Sequence, residues 1–314
     1  MTQHISPPPT PTPSASPSPS ARTDAGYGPG PGPDPAARSW LPPALCLLAF
    51  VALYLVAVCT PFGQRAENHL FSGEQGAIPA WVYGVAGGEY GSWALPPMEQ
   101  TALPTLFVGT ALIAAVAVLR RRWWQGLAAV TTVVVTIGAK ELVSMFLPRP
   151  DLVGAEESLI ESSFPSGHAA VPVALVLGAL LVVPPRVRPY LATAGMLWSV
   201  FAASGVLATY HHRSSDSLGS TLLACACYLV AARLLPERDA PASPWRPRAL
   251  APVALAGAAA VALLSGARDD SLLESLVFAA AGFLCAVLFW LTTARGTAAV
   301  TGGPSAAVTG RTAP

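Results

Sequence analysis

Charge is what this chain has least of. Only 11% of its 314 residues are Asp, Glu, Lys or Arg, against about 25% in an ordinary soluble domain. With 53% hydrophobic residues and a mean hydropathy of +0.51, a water-soluble globule is excluded and an integral membrane protein is expected. A net charge of +1 gives no electrostatic support to bulk nucleic-acid binding. Lysine occurs once, at Lys140. Cysteine is sparse and unpatterned. Cys46, Cys59, Cys225, Cys227 and Cys285 all lie in apolar runs, their number is odd, and no spacing resembles a zinc site. Cys225-Ala-Cys227 is one residue short of a redox CxxC, so all five are expected to be packing residues.

Large apolar residues are nearly missing from residues 1–39, which are rich in Pro, Ser and Gly. Such a segment cannot bury enough surface to offset its ordering entropy, and a disordered cytoplasmic tail is expected. It is too long and too weakly basic to be the n-region of a secretory signal. A bulky Val56-Ala57-Val58 precedes Cys59, so the first apolar run is expected to remain as a membrane anchor. Residues 296–314 read as a second disordered tail.

Between the tails lie eight apolar runs, near 41–60, 102–119, 124–147, 168–184, 190–210, 217–235, 249–267 and 271–293. Each is expected to be long enough to span the roughly 30 Å of a bilayer core. The expected fold is all-α, a polytopic membrane helix bundle. Trp123 and Trp124 sit at a span edge, as interface aromatics do. Nine arginines (120–122, 186, 188, 233, 238, 246 and 248) fall in the loops of one side, and four (Arg65, Arg149, Arg213, Arg268) in the opposite loops. The positive-inside rule then puts both termini in the cytoplasm and the loops after spans one, three, five and seven outside.

Three polar clusters fall on that outer side. They are Leu147-Pro148-Arg149-Pro150-Asp151, Pro165-Ser166-Gly167-His168, and His211-His212-Arg213-Ser214-Ser215-Asp216. Ionisable residues beside membrane spans are functional candidates. Ser166 is a good N-cap, and the helix after it would present free N–H groups and a positive dipole end to an anion. Gly167 lets a ligand approach the backbone. His168 would then stand beside the anion, or would simply decorate a capped, water-exposed helix end. His212 and Asp216 are spaced i, i+4. On a helix the carboxylate could fix the imidazole tautomer and leave the other nitrogen free to attack, or Asp216 could merely cap span six. Arg149 has the planar fork that suits phosphate. Glu274, Asp269 and Asp270 read as a solvated loop end.

Arg-Pro, then Phe-Pro-Ser-Gly-His, then His-x-x-x-Asp, in that order, resembles the type 2 phosphatidic acid phosphatase (PAP2) family over roughly residues 40–235. The resemblance implies a six-helix membrane core over 40–235; the cytoplasmic linker at 236–248 and the two additional transmembrane helices within 249–295, read from hydropathy, lie outside that core. It implies hydrolysis of a phosphomonoester or pyrophosphate through a phosphohistidine, with no metal and no cofactor. Carried over, His212 is the nucleophile, Asp216 its orienter and His168 the acid, while Arg149, Ser166 and the Gly167 amide hold the phosphate. The implied substrate is a lipid phosphate at the outer face of a cell membrane, bacterial in kind. Two positions depart from the pattern. The family's first-motif lysine falls at Leu142; Lys140, about 200° away on a helix, is expected to point elsewhere unless the helix is irregular. The family's third-motif arginine falls at Val206, and Arg213 is the candidate substitute.

Three functions compete at this point. One is an outward-facing lipid phosphatase; another is a catalytically impaired relative that binds lipid phosphate or acts as a scaffold. The third, a transporter, is disfavoured because the spans lack paired midplane charges apart from Lys140 and Glu141, and no repeat of the halves is visible. Retention of His168, His212 and Asp216 together favours the phosphatase.

Overall fold

The structure, a computed structural model, describes residues 39–71, 78–86, 95–98, 101–147, 149–160, 162–236, 244–245 and 249–294. The expected tails, and most of the 236–248 linker, lie outside the described residues. Every regular element among those described is a helix. In chain order they are α1 (Leu41–Ala57), α2 (Pro61–Phe71), α3 (Ala80–Ala86), α4 (Leu103–Leu119), α5 (Trp123–Phe146) and α6 (Glu157–Ile160). Then come α7 (Gly167–Val182), α8 (Arg188–Ala208), α9 (Ser214–Leu234), α10 (Leu250–Ser265) and α11 (Leu272–Ala294).

The eight expected apolar runs are α1, α4, α5, α7, α8, α9, α10 and α11. Four of them (α5, α8, α9 and α11) are long and apolar enough to cross a membrane alone, and α1 with α2 forms a bent pair. By contrast α4, α7 and α10 have only 17, 16 and 16 residues. At about 1.5 Å per residue the shortest reach ~24 Å.

The centre of the bundle is α7. It is apolar all round, and all but three of its residues are buried, which is what such a helix requires. It packs against α4, α5, α8 and α9. Between lipid-embedded helices there is little hydrophobic driving force, so close packing of small residues carries the association. Accordingly Ala202, Ala203, Ser204 and Gly205 of α8 are buried, and Ser204 faces Gly282 of α11. At the end expected to face the cytoplasm, the Arg120 guanidinium donates to the Val182 carbonyl and ties the end of α4 to the end of α7. Trp123 and Trp124, at the start of α5, are exposed. All five cysteines are free thiols.

Besides the four-residue α6, two elements are not apparent from hydropathy. Thr60-Pro61 starts α2: the Thr60 hydroxyl accepts from the Gly63 amide at 3.0 Å, and Pro occupies the first helical position. The axis turns 80° between α1 and α2. That bend needs glycine at 63, where a β-carbon would stand 2.1 Å from the Val56 carbonyl oxygen. The turn lays α2, a polar helix, across the end of the bundle where the three clusters lie. The other element is α3, which packs on α8 and α10.

Candidate active site

His168 opens α7 and His212 lies in the turn between α8 and α9. Their rings come together with centroids 6.1 Å apart. Ser166 caps α7 as expected, its hydroxyl accepting from the Ala169 amide at 3.3 Å. Pro172 lies inside α7, and its missing N–H removes the helical bond to the His168 carbonyl. The Ser166 amide donates to the Asp216 carbonyl at 3.2 Å. The Ser220 hydroxyl bonds the carbonyls of Ser166 and Asp216 at 2.6 and 2.8 Å. The two motifs are thus stitched backbone to backbone.

Asp216 is both a cap and an orienter. It lies at the third position of α9 and is fully buried. Its Oδ2 accepts from the Arg213 amide at 2.9 Å and from the Ser163 hydroxyl at 2.6 Å. The same oxygen lies 3.3 Å from His212 Nδ1. The imidazole therefore turns Nε2 away from the carboxylate. The amides of His211 and His212 both donate to the Val206 carbonyl, at 3.0 and 3.2 Å. Val206, standing where the resemblance would put arginine, is fully buried in an apolar cluster with Tyr210 and Phe278 and offers the turn its backbone oxygen. His211 Nδ1 lies 2.7 Å from the Thr209 hydroxyl. Burial, and then the neighbouring imidazoles of His212 and His168, push its pKa down to about 4.

Lys140 corrects the sequence-based expectation. It does not point elsewhere: a β-carbon on Gly167 would stand 3.6 Å from Lys140 Nζ. The bundle rotates α5 so that position 140 faces the start of α7, while Leu142, at the family's lysine position, is 56% exposed. The helical repeat sets the angle between positions 140 and 142, and packing decides which of the two faces inward. Lys140 also pairs with Glu141 at 3.0 Å. The lysine ammonium, the amides at the start of α7 and the two imidazoles thus gather at one end of the bundle.

The arginines are held by the protein. Arg149 donates to Glu67 at 3.4 Å and to Asn68 at 3.1 Å, both on α2. Glu67 also accepts from the Ser215 amide at 3.2 Å. Burial raises the pKa of its carboxyl, and the Asp216 charge raises it further. Gln64 of α2 donates to the carbonyls of Val58 and Pro150 and accepts from the Leu152 amide. Arg213, the candidate substitute for the missing arginine, donates to Ser163 at 3.1 Å and to the Leu159 carbonyl at 2.7 Å. Its guanidinium lies 4.6 Å from the Phe71 ring centroid. A small cavity lined by Glu67, Phe71, His212 and Arg213 joins α2 to the histidine turn. Asp151 organises its loop, accepting from the amides of Val153, Gly154 and Ala155. These three bonds lower its pKa.

Sequence reasoning missed Gln64, Glu67 and Asn68. The signal available was Thr60-Pro61, a helix start in what otherwise reads as an outer loop. It also placed Glu274 at a solvated loop end. Asp269 and Asp270 are exposed as expected, but Glu274 accepts a hydrogen bond from the Tyr210 hydroxyl at 2.6 Å. A helix start gives no hint of that contact, because the partner lies 64 residues away. Among the described residues no group of three or more His, Cys, Asp or Glu side chains is arranged to hold a metal ion.

No curated protein and no solved structure matches the chain. The PAP2 superfamily model matches residues 121–240, the segment that supplies Lys140, Arg149, Ser166, His168, His212 and Asp216. Over that segment the chain is similar to the PAP2 superfamily.

Proposed function

We propose that the protein hydrolyses the phosphomonoester or pyrophosphate of a lipid at the outer membrane face, through a phosphohistidine on His212. The observation that carries this reading is the His212–Asp216 pair at 3.3 Å facing His168 across 6.1 Å at the start of α7. With Nδ1 turned to Asp216, His212 Nε2 attacks phosphorus and the bond to the leaving oxygen breaks. His168 gives that oxygen its proton. Water then attacks the phosphohistidine and gives a proton to His168. The P–N bond breaks, and phosphate leaves with both imidazoles restored. Charge on the transferring group spreads over three oxygens. Lys140 and the α7 amides meet it directly, with Arg149 and Arg213 as flanking positive charge. The substrate is a lipid because the site lies at the end of a bundle of apolar helices.

One observation favours a second reading, a relative that binds lipid phosphate without turning it over. Val206 replaces an arginine, and Arg149 and Arg213 are both engaged by protein groups. The deciding experiment assays the purified full-length protein, in lipid, for phosphate release. The substrates are phosphatidic acid, phosphatidylglycerol phosphate, a polyprenyl pyrophosphate and polyprenyl-linked sugar phosphates. The expected result is release from at least one, abolished by His212→Ala and by Asp216→Ala in folded protein and unaffected by chelators. Saturable binding without release from any of them establishes the second reading instead.

A further inference from the structure

The turn that presents His212 has an unusual occupant. It closes α8 with two reverse bonds, Tyr210 N–H to the Leu207 carbonyl and His211 N–H to the Val206 carbonyl, both at 3.0 Å. This is a Schellman arrangement, whose left-handed position ordinarily takes glycine. Here it holds Tyr210 at φ 54°. A residue with a β-carbon resists that conformation, and it persists only where the surroundings over-determine it.

Those surroundings come largely from the last two helices. The Tyr210 hydroxyl donates to Glu274 Oε2 at 2.6 Å. Arg268, in the turn between α10 and α11, lies 4.1 Å from the Tyr210 ring centroid. It also donates to the Ala208 carbonyl at 3.0 Å, one of the acceptors that the end of α8 leaves open. Asp270 holds the same guanidinium at two nitrogens, each at 3.2 Å. Phe278 of α11 and Phe71 of α2 meet the tyrosine ring edge-on at 6.2 and 6.0 Å. Arg268, Glu274 and Phe278 all lie beyond the segment that matches the PAP2 superfamily.

We propose that the α10–α11 turn is a latch on the histidine turn. Arg268 and Glu274 hold Tyr210 in its left-handed conformation, and Tyr210 thereby positions His212. The three are positioning residues and touch no substrate. The route is short. The Val206 carbonyl receives the amides of both His211 and His212, and that fork exists only while Tyr210 keeps φ positive. When Tyr210 relaxes, both amides leave Val206, and the His212 ring, already 3.3 Å from Asp216, loses its orienter. The extra helices are then a working part of the site. Only the effect on turnover rests on the phosphatase reading.

The test uses the full-length protein in lipid nanodiscs with Tyr210→Phe, Glu274→Gln, Arg268→Met and the Tyr210→Phe/Glu274→Gln double variant. Tyr210→Phe keeps the ring and its packing and removes only the hydroxyl, so it is the variant least able to disturb folding. Hydrogen exchange of peptides covering residues 209–213 reads the latch without any substrate. It is expected to accelerate about tenfold in Tyr210→Phe, the effect of losing one hydrogen bond to a charged group, less in Glu274→Gln, whose amide oxygen still accepts, and more in Arg268→Met, which loses the bond to the Ala208 carbonyl as well. Exchange in α5 and α7 should not change, and the double variant should behave as Tyr210→Phe alone. Phosphate release is the second readout: kcat falls by about tenfold or more with KM unchanged. Unaltered exchange at 209–213 in all variants overturns the latch. Accelerated exchange with wild-type kcat overturns its role in positioning His212. A wild-type protein that releases no phosphate from any lipid overturns the phosphatase reading, while the exchange measurement still judges the latch.

Discussion

Alanine in place of Gly167 should separate phosphate handling from folding. The β-carbon it adds would lie 3.6 Å from Lys140 Nζ and 3.7 Å from Cε, with no other heavy atom of the described residues within 4 Å beyond its chain neighbours and its own helix backbone. These are ordinary contacts with the flexible end of a lysine, so no clash arises. Alanine also favours a helix over glycine by up to about 1 kcal/mol, and by less at a first helical position. The thermal midpoint in detergent should therefore stay level or rise slightly. The same methyl group fills the gap between an ammonium and a helix N-terminus. A phosphate oxygen bonded to both would need roughly 2.8 Å to the ammonium and about 2.9 Å to the amide, which the methyl denies it. Losing one such preorganised donor lowers turnover by about a hundredfold, ~2.7 kcal/mol. Phosphate release at saturating substrate and thermal unfolding, measured on one preparation, check both halves. Wild-type turnover in Gly167→Ala would refute the placement of phosphate at this helix end. A loss of several degrees in the midpoint would refute the claim that the gap is structurally neutral.

His211, held neutral in the folded protein with a pKa near 4, takes up its proton in the unfolded chain near the ordinary value of about 6.5. Stability should therefore be level above that value and fall as pH drops from about 6.5 toward 4; unfolding midpoints for His211→Gln should lose this part of the slope, and an unchanged slope would count against burial of a neutral ring. The proposed topology rests on the nine-to-four arginine split. A cysteine placed at position 155 in a cysteine-free protein should label in intact cells, and labelling only after lysis would reverse the orientation.

Hydropathy alone revealed the eight apolar helices, because a span is encoded locally and needs no partner to be recognised. The cap at Ser166 was equally legible, since capping chemistry is confined to four consecutive residues. What the sequence withheld was rotation and reach. Lys140 and Leu142 differ by two positions, and only the packing of α5 on α7 decides which meets the start of α7, the proposed phosphate site. Arg213 stands beside His212 in sequence, yet its guanidinium is committed to Ser163, Leu159 and Phe71. Glu67 and Asn68 looked like loop residues because α2 is too polar to register as a span, although its 80° turn brings them to Arg149. Tyr210 and Glu274 each read as unremarkable, since no local pattern marks a left-handed tyrosine.

The unequal helix lengths have a consequence for depth. The end of α7 is tied to Arg120, just before α5 begins, so α5 and α7 start from a common level. Counting from there, Lys140 and Gly167 arrive at nearly the same height, and α5 then runs on for six more residues, to Phe146, or about 9 Å. On the proposed reading, reaction therefore takes place below the rim that α5 forms. The rim on that side is greasy: Leu142, Met145 and Phe146 are all exposed. On the proposed reading, a phosphate attached to an acyl or prenyl chain can sink below that rim while its tail stays among neighbouring tails. A water-soluble phosphate ester must leave bulk solvent to reach the same depth and gains nothing from the greasy wall. Selectivity for lipids would then come from elevation rather than from any contact with the head group.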